Sequence, residues 1–148
     1  MNKVVRYVIA YSAWVANLLL ALWLAYLART CFTSFMALFY KPGDWAYLKT
    51  ADFADRAFTI ALGLGWLVFM ILVEAYFRAG AAQNKLSGRI ASVTGWVTLG
   101  IFSVDLILFW VQGAGNVGWL RWLVLALELG VGLVFVVSVK SRFISQSN

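Results

Sequence analysis

The feature that most constrains this chain is a series of four apolar stretches, over 7–28, 57–77, 90–111 and 117–139, separated by polar links. A helix rises ~1.5 Å per residue, so about twenty apolar residues cross the ~30 Å hydrocarbon core with every backbone N–H and C=O paired internally. The pattern predicts an all-α integral membrane protein, a single membrane domain over 1–148 with four transmembrane helices in an up-down bundle. Composition agrees: 64% of the residues are apolar and only 12% charged, against roughly 25% charged in a soluble domain. The net charge of +6 is dispersed between the apolar runs rather than gathered in a patch, which argues against a nucleic-acid partner.

Missing residue types narrow the chemistry. The chain has no histidine, the usual anchor of b-type haem and the commonest zinc ligand. Its one cysteine, Cys31, rules out an internal disulfide and a C-x-x-C exchange pair. No metal or cofactor is expected; a bound lipid, quinone or pigment is compatible with the aromatic content, but no spacing demands one. Lys3 and Arg6 before a long apolar run, with no A-x-A site after it, read as an uncleaved anchor.

The links differ in kind. Residues 29–56 hold Phe32, Phe35, Phe39, Tyr40, Trp45, Tyr47 and Phe53, side chains that favour the headgroup layer. An interfacial aromatic loop or helix is expected there, helical over 32–40, broken at Pro42, with Thr50 or Asp52 capping the second span. Trp45, Tyr47 and Trp119 read as interface anchors. Lys3, Arg6, Arg78, Lys85, Arg89, Lys140 and Arg142 fall on one side of the membrane; Arg29, Lys41, Lys49, Arg56 and Arg121 fall on the other. By the positive-inside rule both termini are cytoplasmic, in a plasma membrane of prokaryotic type.

A charge at the centre of a membrane helix costs ~2.5–3.5 kcal/mol on insertion scales, so each intramembrane polar residue needs an account. Glu74 and Arg78, four apart, are spaced for a structural ion pair on one helix face. Asp105 and Arg121 are equidistant from Gly113, which places both ~9–12 Å inside the turn joining the last two spans and suggests an ion pair across that hairpin. Glu128 lies near the midpoint of the fourth span; a carboxyl there is protonated or stands beside a cation. Asn17 and Thr98 fall at comparable depth, allowing a midplane cluster with Glu128, while Thr94, Thr98, Asp105 and Gln112 form a polar stripe. Small residues at 21/25, 91/95 and 126/130, with Gly63 and Gly65, mark close helix contacts.

With no ligand set, no nucleophile–base pair and little chain outside the spans, the expected role is a non-catalytic small subunit of a larger membrane complex. Its partners would be other membrane subunits and the lipid bilayer. The alternative is a small homo-oligomeric transporter or channel, with Glu128 as coupling carboxylate and Asp105–Arg121 as an intramembrane ion pair.

Overall fold

A computed structural model of the chain describes residues 3–40, 43, 45–113 and 119–144, with side chains as far as Ser138. Lys41, Pro42, Asp44, the glycine-rich turn over 114–118 and the side chains of Lys140 and Arg142 lie outside the described residues. Four helices follow in order: α1 Lys3–Ala37, α2 Trp45–Ala82, α3 Leu86–Val111 and α4 Trp119–Ile144. All four contain windows long and apolar enough to cross a membrane, and the fold is an all-α membrane-spanning bundle. Short links make successive helices antiparallel, so α1 and α3 run parallel to each other.

The aromatic link is helical over 29–37 and 45–56. The helix of the first span continues to Ala37 and that of the second already begins at Trp45. Each gains several turns over the apolar span, because nothing in 29–37 or 45–56 breaks a helix and the two extensions pack together. Phe32 stacks on Phe58 with ring centroids 4.5 Å apart, and the Tyr47 hydroxyl donates to the Met36 carbonyl. Thr50 and Asp52 therefore lie inside α2. Neither caps it: the Thr50 hydroxyl donates to the Ala46 carbonyl one turn back (3.0 Å).

The helices do not close into a symmetrical square. The main seams are α1–α2, α1–α3 and α3–α4, with a smaller α2–α3 contact; α4 packs almost entirely on α3. Along α1–α2, the Trp14 indole donates to the Met70 carbonyl (3.0 Å) and the Trp66 indole to the Leu18 carbonyl (3.3 Å). A buried cluster of Ala10, Val73, Phe77, Ala81 and Leu86 joins α1, α2 and the start of α3. Arg89 fastens the α2–α3 turn: it donates to the Tyr76 carbonyl (2.7 Å) and Gln83 Oε1 (2.9 Å), with its guanidinium 4.6 Å from the Tyr76 ring centre.

The α3–α4 seam depends on two glycines. A Cβ on Gly95 would stand 2.9 Å from Val136 Cγ2, and one on Gly132 2.8 Å from Leu99 Cδ2. Small residues at reciprocal positions let the backbones approach, the main means of helix association where lipid removes the hydrophobic drive. Gly63, Gly65 and Gly130, expected to serve the same purpose, face open space. Four-residue spacing finds Gly95, which meets α4, but does not separate it from Gly130, which faces away.

Candidate functional site

The contacts set the helix register, and the register sets the depth of each polar group. Asn17 of α1 meets Thr94 of α3, and seven residues on Leu24 touches the Cβ position of Gly100. Five residues further along both parallel helices, Arg29 and Asp105 stand at one level. Across α3–α4, Leu99 lies over Gly132; four residues along each brings Ser103 opposite Glu128. Glu128 is thus only ~3 Å deeper than Asp105.

Two cross-helix ion pairs occupy this level. In the α3–α4 hairpin, Arg121 Nη2 lies 2.9 Å from Asp105 Oδ1, with side chains 29% and 12% exposed. Its Nη1 donates to Gln112 Oε1 (3.3 Å), so one guanidinium spans two turns of α3. In the α1–α2 hairpin, Arg29 donates to both oxygens of Asp55, Nε at 3.1 Å and Nη2 at 2.8 Å, with side chains 52% and 24% exposed. These hydrogen bonds hold the Asp55 carboxyl below the usual carboxylate range. Arg56 and Asp52 pair one turn away at 2.9 Å. The belt coincides with the ends of the first two apolar spans at 28 and 57, and Arg6 and Arg29 bracket ~33 Å of α1, about one hydrocarbon thickness. Asp105 and Arg121 share that level, although the apolar span of α3 continues six residues, ~9 Å, past Asp105 to Val111.

This register separates the expected midplane cluster into two groups. Asn17 is 2% exposed; its Nδ2 donates to the Ala13 carbonyl (2.9 Å) and to Thr94 Oγ1 (3.1 Å), and the Thr94 hydroxyl can return a bond to Asn17 Oδ1 (3.3 Å). Thr98 is buried, but its hydroxyl donates to the Thr94 carbonyl of its own helix (2.8 Å). Asn17–Thr94 is the pair near mid-membrane, ~18 Å below the charged belt. Glu128 belongs with the belt. It lies within electrostatic reach of both Asp105 and Arg121, and its Oε2 is buried without a hydrogen-bond partner. Arg121 is already committed to Asp105 and Gln112, which leaves Glu128 no cation of its own.

The remaining candidates are dispersed. Glu74 and Arg78 line a small crevice with Tyr11 and Trp14, but the ion pairs among the described residues do not include them. Trp45 and Trp119 lie at the charged-belt end, 76% and 72% exposed; Tyr47 is half-buried against α1. Among the described residues, no three His, Cys, Asp or Glu side chains gather in a way that could hold a metal ion. Sequence reasoning missed the Arg29–Asp55 pair, although both residues flank apolar spans and the same mirror argument that joined Asp105 to Arg121 would have found it. Comparison with protein-family models, curated proteins and solved structures finds no match to this chain.

Proposed function

We propose that the protein is a non-catalytic helical subunit of a larger membrane assembly, with both termini cytoplasmic. The observation that carries this reading is α4. It rests almost entirely on α3, and its other side presents Leu120, Val124, Leu127, Val131 and Val134, all exposed. Their alternating spacing of four and three is the seam that lets two helices interlock at a shallow angle. Within the chain Asn17 is satisfied by Thr94 and Arg121 by Asp105, whereas the buried Glu128 Oε2 is left without a partner. Native mass spectrometry after mild solubilisation from the source membrane tests the proposal: a hetero-complex is expected, and Leu127→Trp should release the subunit from it. A stable homo-oligomer that transports solute in liposomes would overturn it.

Orientation has its own test. Cys31, the only cysteine, lies just beyond the charged belt, and burial pushes its thiol up from the ordinary range. A membrane-impermeant maleimide should label it in intact cells, faster as the pH rises, without cell lysis.

One observation favours the second reading, a small homo-oligomeric transporter or channel. The buried Glu128 oxygen has no donor, as a carboxylate that exchanges a proton or cation requires, with Asp105–Arg121 as the adjoining gate. In that case Glu128→Gln abolishes flux and leaves assembly intact; in a structural subunit the same change alters assembly.

A further inference from the structure

Between the extensions of α1 and α2 lies a groove of ≈ 460 Å³, a volume typical of small-molecule sites. Its walls combine three kinds of surface. Phe32, fixed by its stack on Phe58, and Met36 give an apolar floor. Tyr40 and Tyr47 face across one side, with ring centroids 6.2 Å apart and planes inclined by 50°. Asp52 and Asp55 supply carboxylates at the end nearest the charged belt.

The charge arrangement selects among occupants. Both carboxylates line the groove, whereas their partners Arg29 and Arg56 stand outside the lining. Arg29 already holds both oxygens of Asp55, while Arg56 holds one oxygen of Asp52, so Asp52 is the carboxylate more open to a cation, with two exposed guanidiniums beside the groove. An anionic headgroup would meet carboxylate oxygens in the lining. A group with an ammonium at one end and a phosphate at the other matches the polarity: the ammonium among carboxylates and phenol faces, the phosphate toward a rim guanidinium. The level of the groove points the same way, because it begins where the apolar spans end, at the depth of lipid headgroups. We propose that this groove binds the headgroup of a zwitterionic phospholipid, an ethanolamine or choline lipid, with the first carbons of its chains on Phe32 and Met36.

The test uses the full chain, delipidated in detergent and titrated with phosphatidylethanolamine or phosphatidylglycerol of identical acyl chains, read by native mass spectrometry. The ethanolamine lipid should give one saturable adduct, bound about fivefold more tightly than the glycerol lipid, the effect of roughly one exposed charge contact. The double variant Asp52→Asn/Tyr40→Leu should erase that preference. Ala51→Trp, which fills the groove, should remove the saturable adduct while circular dichroism shows unchanged helix content. Equal or tighter binding of phosphatidylglycerol would overturn the proposal, as would an unchanged ethanolamine preference in both variants.

Discussion

The two hairpins of this protein solve one problem by opposite means. Each joins antiparallel helices and carries an arginine–aspartate pair across its seam at one level of the membrane, in reversed order: Arg29 to Asp55 in α1–α2, Asp105 to Arg121 in α3–α4. In α1–α2 the pair is wet, and the seam is held by aromatic stacking and by indole bonds to backbone carbonyls. In α3–α4 the pair is drier, the backbones meet through Gly95 and Gly132, and a further carboxyl, Glu128, is enclosed beside it. The lesson concerns exposure. The same two side-chain types act as a modest surface link where water reaches them and as a structural requirement where it does not.

The comparison breaks most directly at the arginines. Arg121→Ala should destabilise the chain by about 3 kcal/mol, because it leaves Asp105 buried and charged without its partner; the double change Arg121→Met/Asp105→Leu should recover most of the loss. Arg29→Ala should cost far less, as for an exposed pair. Steric-trap or denaturant unfolding in detergent measures both, and equal losses would abolish the distinction. Next in size is the glycine seam. Gly132→Leu or Gly95→Leu should cost ~1–3 kcal/mol through overpacking, while Gly65→Leu, which faces open space, should be neutral in the same assay. At mid-membrane, Asn17→Leu removes a side-chain bond to Thr94 and should cost ~0.6 kcal/mol, the average for such bonds in a membrane bundle.

The smallest effect is pH dependence in the α1–α2 hairpin. Asp55 binds its proton less readily in the folded chain than in the unfolded one. Its contribution is therefore complete above the unfolded value of ~3.9 and fades as the pH falls through the lower folded value. Thermal unfolding of the wild type should lose stability below about pH 4 relative to Asp55→Asn, whose curve lacks this component. Parallel curves would remove Arg29–Asp55 from the comparison.

The aromatic link shows where reading from sequence reached and where it stopped. Its place at the membrane boundary is an expectation from aromatic rings among charges. Its continuous helix did not follow, because the apolar count ends at 28 while helical hydrogen bonding continues to Ala37; hydropathy measures partition, not where a helix stops. Asp105–Arg121 was legible because a tight turn makes distance from the turn a measure of depth. Glu128 does lie at the middle of the apolar span of α4, but the slide of α4 along α3 sets it beside Asp105 rather than beside Asn17, and that slide is not written in either helix alone.

The sequence by itself determined that the chain crosses a bilayer four times in alternating direction and that its intramembrane charges are few. Those properties depend on the transfer free energy of each segment and on link length, both of which are local. Only the tertiary structure decided that α3 lies at the centre with α4 at the edge, that Asn17 bonds Thr94 rather than Thr98, and that Glu128 joins the charged belt. Each depends on how far one helix slides along its neighbour. A uniform apolar surface carries almost no register information, so the register is set by a few contacts distant in sequence: Leu24 on Gly100 and Leu99 on Gly132.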